Sequence, residues 1–171
     1  MVCKWTKKWA LALFSTFFFL LTACGEQSKA VADIEAEALG REAQTLSLDW
    51  LDLASDEAST NEVRDAIADV KAILKETSIS SPTSANTDVC DGDKSRFTAA
   101  FVNKGNSKGI FVCSQSKRFG KIFLAQVLIH EALHLGGITD ECEVTRLEIE
   151  IMTSAMRIPY KNAYVSQCGL D

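Results

Sequence analysis

Residues 122–135, IFLAQVLIHEALHL, are apolar almost throughout, and the polar exceptions are Gln126, His130, Glu131 and His134. The run predicts a helix, and a helix hydrophobic on most of its faces has to be buried. At 3.6 residues per turn, Gln126, His130 and His134 fall on one face. The chain has only two histidines, and this stretch holds both. Burying two imidazoles and a carboxylate is costly unless something satisfies them. A divalent metal does so directly. Two imidazoles one turn apart can bind one Zn²⁺, and the adjacent Glu131 can hold and deprotonate a zinc-bound water.

His130-Glu131-Ala132-Leu133-His134 is an HExxH sequence. It resembles the metal helix of the zincin metallopeptidases, over this helix and the segment that follows it. A catalytic zinc site has three protein ligands and an open position. With no further histidine in the chain, the third ligand is Asp, Glu or Cys. Asp140-Glu141-Cys142-Glu143-Val144-Thr145 resembles the Asn-Glu-x-x-Ser-Asp helix of the gluzincins. That resemblance implies Glu141 as the ligand and Thr145 in the supporting position one turn later. Residues 130–140 also resemble the HExxHxxGxxH pattern of snapalysin-like metzincins, with Asp140 in the last position, Gly137 at the turn and Met156 as the methionine beneath the metal. A ligand on a following helix is held by packing as well as by its loop, which favours Glu141 over the alternative Asp140. Glu143 and Glu148 read as acids on a solvated helix start or surface. Gln126 reads as a polar residue at a helix start or as support for the site.

The resemblance implies zinc-dependent hydrolysis of a peptide bond in a peptide or protein substrate. Glu131 would be the general base and His130, His134 and Glu141 the ligands of Zn²⁺. Tyr160 or Tyr164 is a candidate donor to the developing oxyanion, although packing is the plainer role for each. The rival reading is a non-catalytic envelope lipoprotein whose metal is structural or whose role is binding.

The N-terminus carries Lys4, Lys7 and Lys8 and then an apolar run with FSTFFFLL at its centre. This is the layout of a signal peptide, and the run is short for a membrane span. It ends in Leu21-Thr22-Ala23-Cys24-Gly25, which resembles the lipobox of bacterial lipoproteins. That resemblance implies removal of residues 1–23, lipid on the Cys24 sulfur and an exported, membrane-anchored domain in the cell envelope. Gly25 after the cysteine resembles an outer-membrane address. The chain carries a net charge of −5, and loss of three lysines makes the remainder more acidic. Such a surface argues against nucleic acid and anionic lipid as partners.

Cys90, Cys113, Cys142 and Cys168 remain after Cys3 and Cys24 are set aside. In an exported chain they suggest two disulfides, with all three connectivities open.

The fold class expected is α+β and zincin-like: a small antiparallel hairpin packed on a buried metal-binding helix, with additional N-terminal helices. Residues 24–30 read as a tether and 31–77 as a helical part. The first helix there has a stripe of Ile34, Leu39, Ala43, Leu46 and Trp50, interrupted at Gly40. The second opens at Asn61 as N-cap and buries Val63, Ile67, Val70 and Leu74. Residues 78–88 read as a loop, and 89–171 as the metal-binding unit. Residues 97–103 and 110–114 read as strands joined by a turn at 104–109. By resemblance, the second strand is the one that borders the metal helix. Gly136-Gly137 ends that helix, and Thr139 is the expected N-cap of a last one with a stripe of Val144, Leu147, Ile151 and Ala155.

Overall fold

A computed structural model describes residues 16–83, 87–91, 98–102, 109–158, 160, 162 and 164–170. The turn expected at 104–109 falls almost wholly outside them. The chain divides into two compact units, Met1–Val31 and Ala32–Asp171. The described part of the first unit is helical and belongs to α1 (Thr16–Glu57). Residues 24–30, expected as a tether, are therefore helix; Glu, Gln, Lys and Ala all favour that state. Among the described residues no helix is long and apolar enough to cross a membrane.

The second unit is α+β and mostly helical. It contains α2 (Asn61–Glu76), β1 (Ser78–Ser80), α3 (Thr87–Asp91), β2 (Ala100–Val102), β3 (Gly109–Val112), α4 (Gly120–Leu135) and α5 (Glu141–Met156). The sheet has the order β1-β3-β2. β2 and β3 pair antiparallel, as the two-strand pattern predicts, and the cross-strand partners Phe101 and Phe111 stack with ring centroids 5.3 Å apart. β1 adds to the other side of β3 in parallel, so the segment expected to be a loop holds a strand. Its alternation is only three residues long, too short to stand out, and its one apolar residue, Ile79, is buried.

Val63, Ile67, Val70 and Leu74 of α2 all point into the core, as their spacing predicts. The helix is capped by Thr60, not Asn61: its side chain accepts from the Val63 N–H. At the other end Gln44 Nε2 donates to the carbonyls of Leu74 and Thr77, satisfying C-terminal acceptors that the helix leaves open.

The part of α1 in this unit buries the expected Ala43 and packs Leu39, Leu46 and Trp50 partly against the core, but most of its fully buried positions lie outside the expected stripe. Ala36, Gly40, Ala43, Ser47, Leu51 and Ala54 are buried, while Ile34 is 66% exposed. The helix runs unbroken through Gly40. The buried residues are mostly small because the helix lies close against the sheet: a Cβ on Gly40 would stand 2.6 Å from Ile79 Cγ2 and 3.0 Å from Val112 Cγ2. Ser47 Oγ lies 2.9 Å from the Ala125 carbonyl, and so bonds α1 to α4.

α4 sits in the centre of this core, with Leu124, Ala125, Leu128, Ile129, Ala132 and Leu133 buried. It packs on α2, α5 and β2. The strand beside it is thus β2, not the expected 110–114 strand, which takes the middle of the sheet.

Candidate metal centre

His130, Glu131 and His134 lie on the side of α4 that is not covered by the core, in a cleft of about 880 Å³ between β2, the N-terminal half of α5 and the C-terminal segment. The end of α4 determines how α5 meets them. Gly137 has φ 99°, a conformation that disfavours side chains. Its N–H bonds to the His134 carbonyl and the Ile138 N–H to the Leu133 carbonyl, the paired bonds that reverse a chain at a helix end. The reversal turns the Ile138 carbonyl onto His134 Nδ1, 2.8 Å away. It also starts α5 immediately beside α4.

Asp140 begins that helix. Its Oδ1 accepts from the Glu143 N–H at 2.8 Å, so it is the N-cap in place of Thr139. Asp140 is not among the described groups that converge with the imidazoles. Glu141, one residue on, faces them: Oε1 lies 3.0 Å from His130 Nε2, and Oε2 3.3 Å from His134 Nε2. Met156 is the last residue of α5 and forms no turn beneath the site.

His130 Nε2, His134 Nε2 and a Glu141 oxygen lie within 4.8 Å of one another. Donors about 2.0–2.1 Å from a tetrahedral Zn²⁺ stand roughly 3.3 Å apart, so the spacing suits one such cation. The set of two imidazoles and one carboxylate is also a catalytic type. Both rings use their other nitrogen outward. That of His134 meets the Ile138 carbonyl, and that of His130 meets Glu148 Oε2 at 3.0 Å. Each ring is thereby fixed with Nε2 turned inward.

Glu148 corrects the sequence reading. Expected at the surface, it is 4% exposed. It accepts from the Tyr160 hydroxyl at 3.0 Å and from Asn162 Nδ2 at 2.7 Å, besides meeting His130. Thr145, assigned the supporting role by resemblance, is buried with a hydroxyl that has no hydrogen-bond partner among the described residues. The signal for Glu148 was its spacing: seven residues from Glu141, two turns along the same face. Tyr160 is spoken for by Glu148. Tyr164 stacks on His130, with ring centroids 6.1 Å apart. Gln126 lines the cleft, and Glu143 is exposed on the first turn of α5.

The electrostatics centre on buried carboxylates. Burial pushes the Glu131 carboxyl up, to about 7; His130 pulls it down, Glu141 raises it and a hydrogen bond from the Val102 N–H lowers it. Burial would lower His130, but the Glu148 hydrogen bond and the charges of Glu148, Glu131 and Glu141 outweigh it and leave His130 raised. Burial, then the charge of Glu148 and the hydrogen bond to it, hold the Tyr160 phenol far above its usual range.

Two disulfides brace this region. Cys142–Cys168 joins the residue after Glu141 to the C-terminal segment, and Cys90–Cys113 joins α3 to the end of β3. Gln115 Nε2 donates to the carbonyls of Cys90 and Thr98, tying the same corner to the start of β2.

No family model matches the chain, and neither a curated protein nor a solved structure matches it.

Proposed function

We propose that the chain is a zinc-dependent peptide-bond hydrolase of the zincin kind, carried on a lipid-anchored protein of the cell envelope. The observation that carries the reading is the convergence of His130 Nε2, His134 Nε2 and the Glu141 carboxylate beside Glu131 in an open cleft. When bound, zinc would lower the pKa of a water and polarise the substrate carbonyl.

The chain's own residues supply the rest. Glu131 takes a proton from the attacking water and returns it to the leaving amine. Glu148 and the Ile138 carbonyl hold the imidazoles in one tautomer and orientation. The open cleft and Glu131 favour hydrolysis over a structural metal, whose ligand set would be closed. Lipid on Cys24, after removal of residues 1–23, would place the domain at the membrane; loss of the lipid-dependent mass shift in Cys24→Ser tests that part.

Glu131→Gln tests the chemistry. The variant is expected to keep its metal and melting temperature and to lose peptide hydrolysis by about 10²-fold or more. Unchanged hydrolysis would overturn the base assignment.

A further inference from the structure

We infer that the entry to α4 is a docking surface for an anionic lipid membrane. The sequence there is Lys117-Arg118-Phe119-Gly120-Lys121-Ile122-Phe123. Phe119 is 49% exposed and Ile122 60% exposed, at the head of a helix whose next residues, Leu124 and Ala125, are fully buried. The Phe119 ring packs on Phe123 with centroids 5.1 Å apart. Gly120 turns the chain with φ 74° between the two phenylalanines. Phe119 and Ile122 thus present exposed apolar surface at the start of α4.

Its rim is cationic. Arg118 and Lys121 are exposed, and they make no ion pair or hydrogen bond among the described residues. Elsewhere in the unit Arg41 sits on Glu37, Lys71 on Asp52, Arg146 on Glu62 and Glu150, and Arg157 on Glu57, while Arg64 bonds Asn61 and the Ala58 carbonyl and Lys75, on α2, also makes no ion pair among the described residues. Lys117 sits on Glu35. Within an overall charge of −5, Arg118 and Lys121 therefore form a local positive patch.

Exposed aromatic and aliphatic side chains ringed by Lys and Arg match a charged bilayer surface. The apolar groups enter the headgroup–acyl boundary while the cations meet lipid phosphates, each cation strengthening attachment roughly fivefold. Exposed apolar side chains need no complementary pocket in a fluid phase, whereas an acidic protein partner would have to provide one. Phe123 also lines the cleft, so docking brings the cleft mouth to headgroup level. The consequence that substrates are membrane-proximal peptides rests on the hydrolase reading; the docking itself does not.

The test is methyl NMR of the full chain in lipid nanodiscs doped with headgroup spin label. The Ile122 methyl signal is expected to be broadened in discs containing phosphatidylglycerol and spared in wholly zwitterionic ones. Ile158, equally exposed at 60%, serves as the internal control and should be spared in both. In the Arg118→Glu/Lys121→Glu variant the Ile122 broadening should fall at least about fivefold, with the buried Ile67 and Ile129 signals unmoved as evidence of an intact fold. Equal broadening of Ile122 and Ile158, or no dependence on lipid charge, would overturn the proposal.

Discussion

His130 stands between two carboxylates: its Nδ1 lies 3.0 Å from Glu148 Oε2, and its Nε2 lies 3.0 Å from Glu141 Oε1. Both acids come from α5, two turns apart, so one helix supplies a candidate ligand and the group that orients the ring. Removing the orienting group should loosen the metal without removing a donor. Glu148→Ala is expected to weaken zinc binding about 10–100-fold, measured by competition with a chromophoric chelator. Glu148→Gln, which still accepts from Nδ1–H, should fall between it and the wild type. Affinity unchanged in Glu148→Ala would remove Glu148 from the site.

Gly40 gives a second prediction, on stability. In an exposed helix interior Gly→Ala gains about 1 kcal/mol. Here the new Cβ would press on Ile79 and Val112, both β-branched and held in strands. Overpacking of that kind costs about 1–3 kcal/mol, so Gly40→Ala should destabilise on balance. Denaturant unfolding measures it, and a double-mutant cycle with Ile79→Ala should show favourable coupling as the clash is relieved. A stabilised single variant would contradict the close packing of α1 on the sheet.

The Cys142–Cys168 disulfide closes a loop with a sequence separation of 26. Cross-links of that span stabilise by about 3.5 kcal/mol in the chain-entropy model. Replacing both cysteines by serine should lower unfolding free energy by about that amount. It should also weaken metal binding, since Glu141 precedes one end and the segment bearing Tyr160 and Asn162 leads to the other. Stability lost with affinity unchanged would mean that the bridge braces the fold but not the site.

These outcomes depend on features that were unevenly visible in the sequence. The face of α2 could be read because Val63, Ile67, Val70 and Leu74 are large and regularly spaced. The buried face of α1 could be read only in part: Ala43 lies in the expected stripe, but Ala36, Gly40 and Ser47 carry little hydrophobic signal, and their smallness matters only once the sheet is in place. The antiparallel pair could be read from local alternation, but β1 exists through pairing with a strand about thirty residues later, a long-range contact that a three-residue pattern does not announce. At the site, His130, Glu131 and His134 follow from the helical spacing of the HExxH sequence, whereas Glu141, on the next helix, is expected only from the resemblance to the gluzincins, with Asp140 as the alternative. Glu148 went unrecognised because a carboxylate on a helix is ordinarily solvated; only the approach of His130, Tyr160 and Asn162 explains its burial.

Metal removal separates an open site from a structural one. The core shared by α1, α2, α4 and α5 is made of apolar side chains and includes none of His130, His134 and Glu141. Chelation should therefore leave far-UV circular dichroism nearly unchanged. Adding zinc back at about 100 times its dissociation constant should stabilise the chain by about 2.7 kcal/mol, read as a rise in melting temperature. Unfolding on chelation would point to a structural metal instead.

The central claim is that His130, His134 and Glu141 hold one divalent cation. X-ray absorption at the zinc edge, together with metal analysis of the wild type, Glu141→Ala and Asp140→Ala, tests it most directly. The account predicts one zinc per chain with two imidazoles and oxygen donors, retained in Asp140→Ala and lost or greatly weakened in Glu141→Ala. Full zinc retention with unchanged coordination in Glu141→Ala, or no stoichiometric metal in the wild type, would contradict it.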